Sequence, residues 1–376
     1  MSNTTRKSTL IITVGTSIIA NVGRLYPDLG SRLGDGESVA VAGSLAAMEP
    51  EALKAVSAEL NSTISMIQSG IVDPVTMFLV ASDTDEGRRS AELLKRVFTV
   101  PGRPFTFRSA KIVTVDRLND EDFETFRRQG LGNLVTEICS IIRSFQGGVA
   151  INNTGGYKAE IAFAAIIGQA FSVPVYYQHE RFGSMIELPP LPISVDISLW
   201  IDNIELFMEL KEGNEIRAGE EWRGKKDTLA QLVETVDIDG EEWISLSPAG
   251  HLFMESCEYR LKRSGYWNET DLPEADIPPE KKEITLCGDH HGNDRLMGFA
   301  RKICASRHIT KIVHSLPFEP QARGPVRRIT CVNGTWCIDF VMVETDTGYA
   351  LRAGTTARSD EEARLIAARV ISENLD

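Results

Sequence analysis

The chain has 376 residues, which is enough for two or three domains with cores of their own. Its 42% hydrophobic and 25% charged residues are typical of a globular protein, and no apolar run approaches the roughly 20 residues of a membrane helix, so we expect a cytoplasmic protein without membrane contact. A net charge of −13 argues against nucleic-acid binding by the whole surface, although residues 281–376 carry 14 Lys and Arg against 12 Asp and Glu.

Strands and helices alternate in the first half of the chain. The predicted strands are residues 9–14, 38–42, 75–80, 110–115, 149–152 and 173–178. The predicted helices are residues 51–68, 86–98, 120–145 and 157–171. This alternation indicates a Rossmann-like α/β domain over residues 1–200, with a parallel sheet and helices on both of its faces. Neither a Gly-x-Gly-x-x-Gly turn nor a Walker lysine pattern is present, so a nicotinamide cofactor or ATP is not expected.

A glycine-rich turn follows the predicted strand at residues 149–152. Its residues are Asn153-Thr154-Gly155-Gly156-Tyr157-Lys158, and we call them the diglycine turn. Glycines let a ligand approach the backbone, and the helix that begins near Lys158 directs its free amides at the same place. The turn therefore predicts a phosphate site. The alternative is a strand–turn–helix connection that binds nothing.

Two other predicted strands end in small polar residues. Gly15, Thr16 and Ser17 follow the first strand, and Ser82 and Thr84 follow the strand at residues 75–80. Because the carboxyl ends of parallel strands meet at one edge of the sheet, we expect these residues and the diglycine turn to line one crevice.

The middle of the chain predicts a small helical domain over residues 201–275. Its predicted elements are a connecting helix at residues 196–210, an amphipathic helix at 228–236, a strand at 243–246 and a helix capped by Ser247 with Pro248 as its first residue. This order is similar to a winged helix–turn–helix, and a linker module of that fold without DNA binding is the favoured interpretation. Residues 264–283 predict an exposed linker.

The last domain, residues 281–376, predicts an antiparallel sheet with helices, an α+β arrangement. The expected elements are a strand at residues 283–288, a helix at 294–306, strands at 310–314, 326–332, 336–343 and 348–354, and a final helix at 360–373 capped by Ser359. Asn333-Gly334 predicts a hairpin turn, and residues 346–348 a second one.

The predicted antiparallel sheet and its connections are rich in basic side chains. Its candidate catalytic residues are Lys311, His314, Arg323, Arg327, Arg328, Tyr349, Arg352 and Arg358. Such a surface suits RNA, because arginine binds phosphates through paired N–H groups and bases stack on tyrosine or guanidinium planes. The same side chains are able to cleave RNA without a metal, with His314 or Lys311 as the base and arginines holding the phosphate. The alternative is that they are ordinary solvated positions.

Metal sites and two other nuclease classes are not favoured by the sequence. Six cysteines include no Cys-x-x-Cys pair, and His290-His291 has no third ligand at a suitable spacing, so no metal cofactor is expected. A restriction-like nuclease needs Asp and Glu-x-Lys on neighbouring strands, and the candidate carboxylates, Asp339 and residues 344–346, come without the lysine. Arg301 and His308 mimic the signature of HEPN ribonucleases, but that class is all-helical and strands follow here.

Three segments of the first domain resemble a known family. They are Val14-Gly15-Thr16-Ser17, the diglycine turn with the asparagine before it, and residues 173–180, Val-Pro-Val-Tyr-Tyr-Gln-His-Glu. Over roughly residues 8–200 the chain resembles the CARF domain, the CRISPR-associated Rossmann fold sensor of type III systems. The resemblance implies that a cyclic oligoadenylate, specifically cyclic tetra-adenylate, is the allosteric activator and binds across a homodimer, whose two-fold symmetry suits a symmetric ring.

The resemblance also implies which residues contact the ligand. Thr16, Ser17, Thr154 and Lys158 match the family's ligand motifs. The complete set predicted to bind the cyclic oligoadenylate is Gly15, Thr16, Ser17, Ser82, Thr84, Asn153, Thr154, Gly155, Gly156 and Lys158. Some CARF domains cleave their ligand slowly, which makes Thr16, Ser17 and Lys158 the candidates for such ring nuclease activity.

The last domain is similar to RelE-type mRNA interferases, and the domain order resembles the CRISPR-associated CARF–winged helix–RelE mRNA interferase. That resemblance implies a metal-independent endoribonuclease that cuts mRNA on the ribosome in antiviral defence, arrests translation and docks on the ribosomal stalk protein. Arg358 lies where the family has a Gly-Lys-Arg strand end. The family's catalytic tyrosine has no counterpart in residues 360–376, and Tyr349 is its possible substitute.

A transcription regulator is the principal alternative. In that interpretation the first domain senses a cyclic oligoadenylate and the winged helix holds DNA. Arg260, Lys262 and Arg263 form the basic cluster that favours it.

Overall fold

The computed structural model describes residues 6–145, 147–179, 184–211, 215–263, 271–286, 293–317, 325–343 and 348–375. The chain forms two compact units, Met1–Ser194 and Val195–Asp376. Over the described ranges, no helix is both long enough and apolar enough to cross a membrane. His290, His291 and Arg323, which the sequence singled out, lie outside the described residues, as does the predicted turn at residues 346–347.

The first unit is built on a six-stranded sheet. In chain order its strands are β1 (Lys7–Val14), β2 (Val72–Ser82), β3 (Ser109–Val115), β4 (Val149–Asn152), β5 (Val175–Tyr177) and β6 (Ile186–Leu188). The order across the sheet is β3-β2-β1-β4-β5-β6. Strands β1 to β5 pair in parallel, and β6 is antiparallel to β5. The predicted parallel sheet is therefore confirmed, and β1 and β4 meet where the chain crosses to the second half of the sheet.

Helices surround this sheet. They are α1 (Ser17–Leu25), α2 (Pro27–Gly34), α3 (Ser38–Ala46), α4 (Pro50–Lys54), α5 (Ala58–Gln68), α6 (Asp85–Thr99), α7 (Phe123–Thr125), α8 (Leu131–Ser144) and α9 (Lys158–Ala170). A π-helical turn, Phe126–Gly130, joins α7 to α8. The central strands are apolar, and Leu10, Ile12 and Leu79 are fully buried, as expected for a sheet covered on both faces.

Two sequence predictions for this unit need correction. Residues 38–42 were predicted as a strand but belong to α3, because the buried residues Val41, Ala42, Leu45 and Ala46 recur with helical spacing. The single helix predicted over residues 51–68 is divided into α4 and α5. The division lies at Ser57, which adopts an extended conformation and accepts a hydrogen bond of 3.2 Å from the Leu60 amide as the N-cap of α5.

The second unit begins with helices and a three-stranded sheet. Its elements are α10 (Ile197–Asp202), α11 (Ile204–Leu210), β7 (Ile216–Arg217), α12 (Glu220–Leu229), β8 (Val233–Ile238), β9 (Glu241–Leu246) and α13 (Pro248–Arg263). The sheet order is β7-β9-β8. Ser247 caps α13 as predicted, since its Oγ accepts a 3.0 Å hydrogen bond from the Gly250 amide. The helix predicted at residues 228–236 is wrong, because its β-branched second half pairs with β9 as β8.

A four-stranded antiparallel sheet follows. Its elements are α14 (Asn293–Cys304), β10 (Ile309–Leu316), β11 (Val326–Val332), β12 (Thr335–Val343), β13 (Gly348–Thr355) and α15 (Asp360–Asn374). The order is β10-β13-β12-β11. Asn333 and Gly334 both have positive φ angles, 49° and 78°, so the predicted hairpin turn is confirmed. In place of the strand predicted at residues 283–288, the described part shows an isolated bridge between Ile284 and Ile312.

One hydrophobic core runs through the described part of the second unit. It includes Trp200, Phe207, Phe299 and Phe340. Residues 271–283, predicted as a linker, are mostly exposed. They are nevertheless fixed at Pro273, whose carbonyl accepts hydrogen bonds from Thr356 Oγ1 and from the His308 ring at 2.5 and 2.8 Å.

Candidate functional site

The carboxyl ends of β1 and β4 lie side by side. Gly15, Thr16 and Ser17 follow β1, and the diglycine turn follows β4. Ser82 ends β2 and Thr84 follows it, on the other side of β1. The three predicted strand ends therefore meet at one edge of the sheet, at the position where open α/β sheets bind ligands. We call the space above them the switch-point crevice.

The diglycine turn packs directly against the end of β1. Thr13 Oγ1 donates a hydrogen bond of 2.6 Å to the Gly155 carbonyl. A Cβ atom on Gly155 would lie 2.0 Å from Glu59 Oε1. Gly156 has a φ of +98°, and a Cβ atom there would lie 2.1 Å from Glu160 Oε2. The packing therefore leaves little room for a side chain at either position, and the backbone conformation favours glycine at Gly156 as well.

Helix α9 begins immediately after this turn. Its N-cap, Tyr157, makes no side-chain hydrogen bond to the first amides of the helix. These N–H groups and the positive end of the helix dipole are thus available to an anion. Thr16 and Ser17 follow β1, the strand beside β4, and Lys158 is the first residue of α9. All three are exposed, and they add two hydroxyls and an ammonium group. This combination of donors can bind a phosphate group.

Several predicted ligand contacts also have partners within the protein. Thr154 Oγ1 donates to Asn152 Oδ1 at 2.8 Å and accepts from the Gln178 amide at 3.2 Å. The buried Asn153 side chain donates to the Ile161 carbonyl at 2.7 Å. These bonds hold the diglycine turn in place. The ligand-contact role of Thr154 and Asn153 stays a prediction.

Ser82 and Thr84 show the same internal bonding. Ser82 is buried, and its hydroxyl lies 3.1 Å from that of Thr84. Thr84 is the N-cap of α6 and accepts a 3.0 Å hydrogen bond from the Gly87 amide. Both residues fix the end of β2 beside the crevice, so we expect them to shape the crevice more than to contact a ligand.

Two buried carboxyl groups under the turn were missed by sequence reasoning. Glu59 on α5 and Glu160 on α9 are each only 1% exposed. Glu59 Oε1 accepts a 2.8 Å hydrogen bond from the Gly15 amide, and burial raises the pKa of Glu59. Burial also raises the pKa of Glu160 to about 8, and the nearby Tyr157 amide offsets this only in part. Nothing in the sequence marks Glu59, whereas Glu160 lies in the first turn of the predicted helix.

The protonation of Glu160 affects what the crevice can bind. An ionised carboxylate in the first turn would compensate the positive end of α9 and repel a second anion. With a pKa of about 8 the group is mostly neutral at pH 7. The N-terminus of α9 therefore keeps its preference for an external anion at that pH.

Four basic residues of the four-stranded sheet share one of its faces. The register pairs His314 with Arg352, Arg352 with Asp339, and Asp339 with Arg328, so these side chains share one face. Lys311 pairs with Gly354 and lies on that face as well. We call Lys311, His314, Arg328 and Arg352 the basic row.

Three other predicted catalytic residues are placed differently. Tyr349 lies three residues before Arg352 on β13, so its side chain is on the opposite face, where it packs against the hydrophobic core. Arg327 lies at an irregularity between Val326 and Arg328, where β11 departs from regular pairing. Arg358 follows β13 and forms an exposed ion pair of 2.6 Å with Glu362. The structure thus places Tyr349 on the opposite face and Arg358 after the last strand, while the catalytic role of all three residues stays a prediction.

Arg352 is held by a carboxylate that the catalytic prediction did not include. Its Nε and Nη2 atoms donate to Asp339 Oδ1 and Oδ2 at 2.6 and 2.8 Å. The Asp339 side chain is 3% exposed and that of Arg352 20% exposed. Such paired N–H···O bonds fix the guanidinium plane. Nη1 and the second Nη2 hydrogen remain as donors that could meet a phosphate.

The restriction-like alternative does not fit this register. That class needs a carboxylate and a lysine beside the first aspartate, but Arg352 stands opposite Asp339 and Gly354 two residues further along β13. In the part of the chain that the structure describes, no three His, Cys, Asp or Glu side chains are grouped so that they could hold a metal ion. The HEPN alternative also fails here, because His308 leads into β10 of an antiparallel sheet.

Comparison with known proteins gives one family match. Residues 54–191 match the family model described as CRISPR-associated protein (Cas_APE2256). The matched range contains Glu59, the end of β2, the diglycine turn and α9. No curated protein matches the sequence.

Two solved structures show distant similarity. Can2 from Sulfobacillus thermosulfidooxidans, in complex with cyclic tetra-adenylate, is 12% identical with a TM-score of 0.24, over 72% of this chain and 68% of that one. Protein VC1899 from Vibrio cholerae is 10% identical with a TM-score of 0.27, over 80% of this chain and 86% of that one. Scores this low do not establish a shared fold.

We predict that Glu160→Gln changes the pH dependence of stability. In the wild type the folded chain holds a proton that the unfolded chain releases above pH 4.5, so stability falls as the pH rises from about 4.5 to about 8. The variant should lose this slope and be more stable than the wild type near pH 8, by about 1–3 kcal/mol. Urea unfolding across this pH range measures both effects. Glu86→Gln at an exposed position is the control, and parallel curves for Glu160→Gln and the wild type would contradict the prediction.

We also predict that Arg352→Ala destabilises the second unit by about 2–3 kcal/mol, because it leaves the buried Asp339 carboxylate without its partner. The exposed Arg358–Glu362 pair offers a matched comparison, and Arg358→Ala should leave the unfolding midpoint unchanged. The double variant Asp339→Asn/Arg352→Met should recover part of the loss. Equal effects of Arg352→Ala and Arg358→Ala on urea unfolding would show that the pair is not structural.

Proposed function

We propose that the first unit is a receptor for a cyclic oligoadenylate, specifically cyclic tetra-adenylate, in a type III CRISPR response. The observation that carries the proposal is the N-terminus of α9 beside a closely packed Gly-Gly pair at the switch point of a parallel sheet. A phosphodiester carries the negative charge that such a site favours. The match of residues 54–191 to a CRISPR-associated family model supports the biological setting.

The proposed complex is a homodimer with one ligand. A ring of four identical nucleotides has two-fold symmetry, so two copies of the crevice can each bind half of it through the same contacts. In each copy, the first amides of α9, the Gly156 amide and the exposed Thr16, Ser17 and Lys158 would face phosphates. The same Thr16, Ser17 and Lys158 are the candidates for slow cleavage of the ring.

The proposed output is cleavage of ribosome-associated mRNA by the second unit without a metal. His314 would take the proton of a ribose 2′-hydroxyl, the 2′-oxygen would attack the phosphorus, and the 5′-oxygen would leave with a proton from a second donor. Lys311, Arg328 and Arg352 lie on the same face as His314 and would stabilise the charged intermediate. The ligand activates this step only if it binds the active arrangement more tightly than the inactive one.

The ligand site is tested first by Lys158→Ala. A hydrogen bond from an ammonium group to a phosphate contributes about 1.5–3 kcal/mol, so we expect cyclic tetra-adenylate to bind about 10–100-fold more weakly. Lys111→Ala is the matched control, because Lys111 is exposed on the edge strand β3, away from the crevice. Calorimetric titration measures both dissociation constants. Equal weakening by the two variants would mean that only the overall charge matters.

The output is tested by RNA cleavage with and without cyclic tetra-adenylate, on programmed ribosomes and on free RNA, with EDTA present. We expect ligand-dependent cutting that survives EDTA and that His314→Ala slows by about 100-fold or more. Lys281→Ala, an exposed change outside the sheet, should cut at the wild-type rate. Loss of cutting in EDTA would refute the metal-free chemistry. Tight ligand binding without cutting would leave the receptor and favour the transcription regulator.

A further inference from the structure

An aromatic cluster lies beside the diglycine turn. It consists of Phe123, Phe126 and Tyr157. The rings of Phe126 and Tyr157 meet edge to face, with centroids 5.6 Å apart and planes at 84°. Phe123 precedes Phe126 by three residues in the same helical segment and is 70% exposed, the highest value among the large hydrophobic residues that the structure describes. An aromatic surface open to solvent thus adjoins the proposed phosphate site.

Tyr157 places this surface at the crevice. It lies between Gly156 and Lys158 in the chain, at the N-terminus of α9. Its pKa is raised, first by burial and also by the neighbouring Asp120. Tyr157 therefore belongs both to the diglycine turn and, through its ring, to the contact with Phe126.

The helical segment that carries the two phenylalanines is firmly anchored. Gly130 closes its π-helical turn, and a Cβ atom there would lie 2.5 Å from the Arg117 carbonyl oxygen. Asn133 Nδ2 donates to the Asp116 carbonyl at 2.9 Å, and Asp122 caps α7 by accepting a 2.7 Å hydrogen bond from the Thr125 amide. The aromatic side chains are thus held in place before a ligand arrives, which lowers the entropic cost of binding. Single π turns within helices frequently accompany functional sites.

We infer that Phe123, Phe126 and Tyr157 form a nucleobase-stacking subsite, where an adenine lies against an aromatic ring while a phosphate of the same ligand occupies the diglycine turn. The inference rests on the proposed function for the chemical class of the ligand. One ribose joins a base to its phosphate, so a base site has to adjoin the phosphate site, as this cluster does. The crevice then recognises the ligand as a nucleotide and not only as an anion.

Substitution of Phe123 tests the subsite. The side chain is exposed, so Phe123→Leu should leave the thermal unfolding midpoint unchanged. Stacking contributes about 1–3 kcal/mol per base, so Phe123→Leu should weaken the binding of cyclic tetra-adenylate to the full chain by about 5–150-fold. Its affinity for inorganic pyrophosphate, which has no base, should not change. Phe123→Trp should bind cyclic tetra-adenylate at least as tightly as the wild type, and Tyr157→Phe, which keeps the ring, should bind it nearly as tightly.

The outcomes separate this inference from the proposed function. If the wild type binds cyclic tetra-adenylate and Phe123→Leu binds it equally well, the receptor stands and the stacking subsite is refuted. If the wild type binds pyrophosphate but not cyclic tetra-adenylate, both are refuted. If Phe123→Leu weakens both probes equally, the cluster supports the phosphate site and not a base. A shift of Phe123→Leu from dimer to monomer in ultracentrifugation, with ligand affinity per dimer unchanged, would assign the surface to a second copy and overturn the inference.

Discussion

The close approach of the β1 and β4 ends is the constraint on which the first unit's candidate site depends. Thr13 on β1 donates to the Gly155 carbonyl, and the Gly15 amide after β1 donates to the buried Glu59. These contacts leave no space for side chains at Gly155 and Gly156, and they direct the start of α9 at the crevice. The anion preference of the helix end, the burial of Glu160 and the position of Tyr157 all follow from this packing.

The candidate site of the second unit is formed by side chains, whereas that of the first unit depends largely on backbone amides. In its four-stranded sheet, antiparallel register brings His314, Arg352 and Arg328 into one line across the strands, with Asp339 between the two arginines. The Asp339–Arg352 pair fixes the plane of one guanidinium group on this face. The phosphate contacts proposed for this unit depend on these positive charges sharing one face.

The sequence predicted the elements with the strongest local signals. The parallel sheet, the diglycine turn, the Asn333-Gly334 hairpin and the Ser247 and Ser359 caps are confirmed. The strand predicted at residues 38–42 failed because a short apolar run has no period of its own, and tertiary packing made it helical. Glu59 and Asp339 were not recognised as parts of the sites because their partners, Gly15 and Arg352, are distant in the sequence or on the next strand. Which basic residues share a face likewise depends on register and on the irregularity in β11.

The most direct test of the central claim is hydrogen–deuterium exchange of the full chain with and without cyclic tetra-adenylate. We expect the amides of residues 155–158 to exchange more slowly when the ligand is bound, because phosphates accept hydrogen bonds from the backbone there. The β8–β9 hairpin, which takes no part in the crevice, serves as the internal reference. Protection confined to the second unit, or no change at the diglycine turn in the presence of saturating ligand, would contradict the account.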